Sequence, residues 1–598
     1  MLTELMQYAQ THPVKARVGF KPKKVKGYIW LSAQGDFQGV EVCEKGSTTD
    51  APDIGSAANG TRYCNFLVEK AKIPLCMMEN PKTDQNIPTK YAFFLTMLRA
   101  GAEYEPRFSV VADALENAQS RAAMQAGLAE EKLKGGDAIG FIVDGAKLEE
   151  TDAFLPWWAE FRRMFAPAPS GELSRCLISG ELTEPLATVP KVSGLLPVGG
   201  HTAGDAFLCF DKDAFQSYGL KKSANAPVSE EAMTVVNAAL TELIQKAPIL
   251  GGAKMVHWYA GELPGNADIL ECMMEGLWEN DAWDGADLAP EAQDDGPHPQ
   301  EEIAMQSARQ LFTAIREGTR PEQLTARYYF LPLSGANGRM MVRGWDEGSC
   351  AELYCNIDQW FRDLRLARNA RGELTRPPKL KVLCIRLLKP GGDPKKVFDR
   401  MDSEIPGLTV RVFNAIVHNY PLPDEVAGRV LRYIRSAILE SPAEGQTESA
   451  FARETLAFQL LKAWLVRRQR QRGDTAMIGE SVNSSPQTPA YCCGRLMAVY
   501  SAIQREAMPD VNVSVAERYY AAASSTPAFV IGKLAQLSQH HLPKLDGGLS
   551  VYYQKMLDGI YAAIGAQSIP TTLTLEQQTE FALGYYQQRA AMYATPEK

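Results

Sequence analysis

The sequence predicts an α+β protein, with a mixed α/β N-terminal region built on antiparallel hairpins and an all-α helical bundle at the C-terminus. Three observations predict this. Apolar and polar residues alternate with the period of a half-buried strand around residues 26–43 and again around 328–345, each time about a glycine-containing turn. Beyond about residue 425 the apolar positions recur at helical spacing behind Ser and Thr caps. Between them, residues 283–300 (WDGADLAPEAQDDGPHPQ) are acidic, Pro-containing and poor in large apolar side chains, which predicts a linker or long loop.

Taken in order, residues 26–43 (KGYIWLSAQGDFQGVEVC) read as a hairpin about Gln34-Gly35-Asp36. Residues 110–133 read as one helix, and 138–146 and 203–211 as further strands. YYFLPL (328–333) and RMMVRGW (339–345) flank the turn Ser334-Gly335-Ala336-Asn337-Gly338 and predict a second hairpin. In 451–468, Leu456, Leu460 and Trp464, with Leu461 and Leu465 beside them, form one apolar stripe. After the polar stretch 473–490, Ser514 with Glu517 and Thr574 with Gln577 fit capping boxes, and Thr526-Pro527 fits an N-cap followed by a first-turn proline. The expected organisation is a mixed region 1–280, an acidic linker or loop 281–302, a mixed region 303–472 with hairpin and basic segment, and a helical bundle 477–598. The caps and stripes of that bundle predict that it folds alone.

The formal charge of −8 argues, as a total, against nucleic-acid binding. Its distribution argues otherwise. Residues 271–302 hold eleven acids and no Lys or Arg, which more than accounts for the balance. Elsewhere Lys15, Arg17, Lys21, Lys23, Lys24 and Lys26 make a basic start, residues 361–400 hold twelve Lys or Arg against four acids, and Arg467, Arg468, Arg470 and Arg472 form a further run. A charge run is commonly a solvated face, but three in an acidic chain favour phosphate contacts. No run approaches the ~18 to 20 apolar residues of a membrane span, and the N-terminus lacks a signal pattern, so a cytoplasmic protein without a membrane partner is expected.

Sites for chemistry are sparse. The eleven cysteines include no CxxC pair; Cys350 and Cys355, and the adjacent Cys492 and Cys493, lack the further ligands of a zinc site, so no metal and no cofactor is expected. Patterns for phosphate-binding loops, zinc proteases, nucleophile elbows and dinucleotide folds are missing. Of seven histidines only His540 and His541 are paired, and adjacent helical positions point about 100° apart, which suits a helix end better than a shared metal. The glycine loop Pro197-Val198-Gly199-Gly200-His201-Thr202-Ala203-Gly204 enters an expected strand rather than a helix. It reads equally as a wide turn or as backbone able to lie against nucleic acid.

Several segments, in order, resemble the large subunit of the type I-C CRISPR Cascade complex, the Csd family. They are Cys176-Leu-Ile-Ser-Gly-Glu181, Phe210-Asp-Lys-Asp-Ala-Phe215-Gln-Ser-Tyr-Gly219 with Ser223-Ala-Asn225-Ala-Pro-Val-Ser229, the hairpin Leu333 to Trp345, Gly494-Arg495-Leu496, Arg518-Tyr519-Tyr520, and Leu583-Gly584-Tyr585-Tyr586. The similarity runs from about residue 170 to the end, with a looser match at the N-terminus. Val189-Pro190, Ser334-Gly335-Ala336-Asn337 and Gly200-His201-Thr202 depart from that family's His-Pro, Ser-Pro-Asn and Gly-Ala-Gln.

The resemblance implies a non-catalytic subunit of an RNA-guided surveillance complex, with guide RNA and target double-stranded DNA as ligands. It implies Cascade backbone and 5′-handle subunits, a small helical subunit and a helicase-nuclease as partners. Such a subunit reads the short PAM, the duplex motif beside the target, while guide pairing reads the sequence, as in the RNA-guided logic of other effectors. Candidate PAM-reading residues are Asn80, Lys82, Gly199, Gly200, His201, Thr202, Lys221, Lys222, Ser223 and Asn225. Candidate phosphate contacts are Lys21, Lys23, Lys24, Arg467, Arg468, Arg470, Arg472, Arg495 and Arg518. The family also makes its small subunit by internal translation, for which Met477 is the best-placed start. A nuclease with an unfamiliar site and a scaffold without DNA contact are the competing classes.

Overall fold

The structure, a computed structural model, describes residues 1–12, 14, 16–44, 47–165, 173–186, 189–202, 204–210, 212–216, 218–261, 268–275, 326–368, 370–375, 378–391, 393–439, 450–482, 487–509 and 513–592. The chain divides into two units, Met1–Lys191 with Ala206–Leu240, and Val192–Asp205 with Thr241–Lys598. The expected linker 281–302 lies outside the described residues.

In the first unit the alternation of GYIWL forms the centre of a five-stranded sheet. The expected hairpin is present: Gly27–Leu31 pairs antiparallel with Phe37–Val42. Gly27–Leu31 also runs parallel to Ala138–Val143, a pairing that needs a long crossover. The helices Ile87–Gly101, Arg107–Glu116 and Ala118–Glu130 lie in it. Ile29, Leu31, Ile139 and Phe141 bury against Phe94, Leu98, Phe108, Val111 and Trp158, while Tyr28 and Ile142 on the other face bury with Val25, Ala51 and Val68. The expected single helix 110–133 is two, because Asn117 leaves helical geometry and its Oδ1 accepts from the N–H groups of Gln119 and Ser120 at 2.9 and 3.2 Å. An internal Asn that can cap competes with helix continuation.

The second unit opens on an antiparallel sheet in the order Ile249–Leu250, Ala253–Ala260, Arg327–Ala336, Arg339–Val342, with Asp346–Ser349 pairing the Arg327–Ala336 strand. The expected hairpin closes on Ala336 opposite Arg339, so the turn is Asn337-Gly338, both at positive φ (51° and 79°). That geometry matches the twist of the paired strands. The strand expected at 203–211 does not form. Among its described residues the segment makes isolated bridge pairing instead, Val192 opposite Asp205.

Helices begin well before residue 425. Ser349 caps Cys350–Leu364 by accepting from Ala351 N–H at 3.2 Å, and Leu353, Ile357, Trp360 and Leu364 bury one face. A continuous core then joins the sheet to the last helix: Phe330 stacks on Phe413 at 4.6 Å and Phe458 meets Tyr586 at 4.8 Å. The helices beyond Pro489 therefore bury residues in the same core as Asp424–Leu439 and Ala450–Arg472. Pro489–Ala507 and Leu575–Met592 touch backbone to backbone, since a Cβ on Gly494 would run into the Phe581 carbonyl and one on Gly584 into that of Tyr491. The boxes at Ser514/Glu517 and Thr574/Gln577 are formed as expected. Thr526 precedes Pro527–His541 but donates to the Ala522 carbonyl at 3.1 Å instead of capping.

Candidate nucleic-acid interface

The turn carrying Asn80 and Lys82 is organised from beneath. Asp84 is 2% exposed, receives the Lys72 ammonium at 2.8 Å and accepts from Asn80 N–H at 2.9 Å. The Lys72 hydrogen bond holds the Asp84 carboxyl below its ordinary range. Asn80 Oδ1 accepts from Lys82 N–H at 3.0 Å, and Glu79 anchors the turn to Gly135 N–H at 3.2 Å. Both side chains are exposed, and among the described residues Lys82 Nζ meets no acceptor.

In the same unit, Lys221 and Lys222 project from the turn that Asn225 staples by donating Nδ2 to the carbonyls of Leu220 and Lys222, each at 3.0 Å. Ser223 lies within this turn, Lys222–Asn225. Three residues before Lys221 stands Tyr218, 99% exposed and at positive φ. Tyr218 was not among the candidate contacts; its signal in the sequence is an aromatic followed by a glycine and two lysines.

The glycine loop belongs to the second unit. Gly199 holds φ +84°, and its missing Cβ would stand 2.9 Å from the Gly335 carbonyl; a Cβ on Gly335 would in turn meet Gly200. These glycines admit the strand Arg327–Ala336, so close packing accounts for them. The buried Asp205 carboxylate accepts from His201 N–H at 3.1 Å, leaving the His201 and Thr202 side chains exposed.

The basic runs divide residue by residue. In the N-terminal strand Lys21 pairs with Asp53, and Lys23 pairs with Glu69 at 3.5 Å and donates to the Val68 carbonyl at 2.5 Å. Lys24 is exposed with no such partner among the described residues. The run at 467–472 departs furthest from a phosphate-facing stripe. Arg467 is buried: it donates to Asp363 at 2.9 Å and to the carbonyls of Ala415 and Tyr420 at 2.7 and 2.9 Å. Arg470 shares Asp363 at 2.5 Å, and Lys462, pushed down to about 8 by burial, donates to the Asp363 carbonyl at 3.0 Å. Arg472 is held by Asp474 at 2.8 Å and by Glu576 at 2.6 Å, and Arg468 by Asp424 at 2.7 Å. Arg467, expected at a phosphate, instead serves a buried carboxylate and has no face toward solvent.

Among the C-terminal cations, Arg495 is half-buried, donating to Gln588 at 2.8 Å and Gln487 at 2.6 Å. Arg518 and Lys533 instead lie over the Tyr519 ring at 5.6 and 5.5 Å, both exposed. No group of three or more His, Cys, Asp or Glu that could hold a metal occurs among the described residues, and no helix among them is long and apolar enough to cross a membrane.

The described residues thus define an α+β protein that carries exposed polar turn tips in its first unit and exposed cations, Arg518 and Lys533, on the C-terminal helices of its second. The family model for CRISPR-associated protein (Cas_Csd1) matches residues 2–593, so the chain belongs to the Csd1 family, the large subunits of type I-C Cascade. Its role lies in a CRISPR Cascade complex with nucleic acid and other Cas subunits. No curated protein matches it.

Proposed function

We propose that this chain is the non-catalytic subunit that reads the PAM, opens the adjacent duplex and recruits the helicase-nuclease. The observation that carries this reading is the segment Tyr218–Asn225. A fully exposed tyrosine stands beside two exposed lysines on a stapled turn. A ring inserted at a base step unstacks it while cations hold the flanking phosphates. The turn at Asn80 and Lys82 supports the reading of base edges, because its backbone is fixed from below by Asp84 and Asn80 Oδ1 while the Lys82 ammonium stands exposed at the tip. His201, Thr202 and Lys24 are further contacts. The C-terminal helices hold the displaced or target strand through cations drawn from Arg495, Arg505, Arg518, Lys533 and Arg589.

The test uses the assembled complex and a PAM-containing duplex with 2-aminopurine beside the PAM. Tyr218→Ala is expected to keep initial binding while losing the fluorescence rise that reports strand opening. Opening at the native rate would remove Tyr218 from the wedge role and with it this account of unwinding.

A further inference from the structure

We propose that Phe529, Arg518 and Lys533 form a base-stacking platform for single-stranded nucleic acid, with Tyr519 positioning the two cations. The inference rests on the strand-holding reading of the C-terminal helices and names the residues and ligand class. Phe529 is 74% exposed on Pro527–His541. Lys533 follows one turn later on the same face, with Gln536 and His540 continuing the stripe, all exposed. This helix contains no carboxylate, and the one in the neighbouring helix Val515–Ala523, Glu517, is spent on the Ser514 cap at 2.6 Å. Neither Arg518 nor Lys533 makes an ion pair among the described residues. Each instead faces the Tyr519 ring, which holds two like charges side by side.

Two gathered cations beside a bare ring suit a polyanion whose bases are unpaired. Phosphates take the cations and an exposed base face takes the phenyl ring, independent of sequence because every base has a π-face. A duplex hides those faces in its stack. An apolar protein partner would cover Phe529 while leaving both cations unneutralised, and so fits the patch less well.

Anisotropy with the full chain tests this, using a fluorescein-labelled oligothymidylate and a hairpin duplex across a salt series. Phe529→Ala is expected to weaken the single strand by about 5- to 150-fold, with duplex affinity and salt slope unchanged. Arg518→Gln with Lys533→Gln is expected to flatten the single-strand slope by up to ~0.7 for each phosphate that is no longer neutralised. Tyr519→Phe should retain binding and Tyr519→Leu reduce it, with thermal melts checking the fold. If Phe529→Ala leaves single-strand affinity intact while the cation variant loses it, stacking is overturned and the strand-holding reading stands. If neither variant alters the chain's single-strand binding, both fall. Equal losses on duplex and single strand, or a Phe529→Ala defect confined to capture of a partner subunit, also overturn the platform.

Discussion

At the scale of single residues, the same residue type divides into scaffold and surface by what lies beneath it. Arg467 and Lys82 were both candidates for DNA contact, yet one is buried on Asp363 and the other is free at a turn tip. Arg467→Met deprives Asp363 of its buried partner and is expected to cost about 3 to 5 kcal/mol in urea unfolding, whereas Arg468→Gln, on an exposed pair, is expected to cost under ~1 kcal/mol. Equal effects would contradict the buried placement. Asn80→Ala is expected to weaken PAM-containing duplex more than PAM-less duplex by ~1 to 3 kcal/mol in competition binding. Asn225→Ala frees the turn that presents Lys221 and Lys222, so on this geometry it lowers affinity for both duplexes alike.

At the scale of elements, helix ends and helix crossings carry the specificity. Asn117→Ala removes the acceptor for two orphan N–H groups and is expected to destabilise by about 1 kcal/mol, read as a lowered melting temperature. Gly494→Ala places a methyl against the Phe581 carbonyl, where backbone rather than a flexible side chain must give way. A loss well above that of Asn117→Ala is expected, and a neutral result would show that the two helices can separate. The strand Ala253–Ala260 also brings His257 to Asp268 at 2.6 Å, with Tyr259 on the same carboxylate at 2.8 Å. Burial disfavours the imidazolium, but the Asp268 carboxylate and the Met255 carbonyl outweigh it and raise His257 to about 9. The folded value lies above the unfolded one near 6.5, so the stabilisation is full below about pH 6.5 and falls as pH rises toward 9. Lys462 acts in the opposite sense only above about 8. From pH 6.5 to 8 the native chain should therefore lose stability relative to His257→Gln, read as the change in the difference between their urea midpoints.

At the scale of the whole molecule, the C-terminal helices are continuous with the helices that precede them. Arg435 donates to Ser524, Ser525 and Gln578, at 2.9, 3.2 and 2.8 Å, and Phe458 covers Tyr586. A separate product starting at Met477 lacks both of these partners. It is expected to co-purify with the complex as extra copies rather than accumulate free. Met477→Leu in the full gene should abolish a short C-terminal product detected by mass spectrometry. Its persistence at the same mass would move the start, and its absence from the unmodified gene would remove the idea.

The sequence by itself determined the two hairpins and the capping boxes, because strand alternation, glycine-bearing turns and the Ser514/Glu517 and Thr574/Gln577 caps are written within a few residues of where they act, and it identified the family through segments in order along the chain. It also placed the helical region, though too late, since helices begin at Cys350 with the stripe Leu353, Ile357, Trp360 and Leu364. Only the tertiary structure decided that Gly199 and Gly200 serve a neighbouring strand, and that Arg467 is buried on Asp363 while Arg518 and Lys533 stay exposed. Those outcomes depend on partners far away in the chain: Asp363 stands 104 residues from Arg467. A charge run carries no record of which carboxylate will come to meet it.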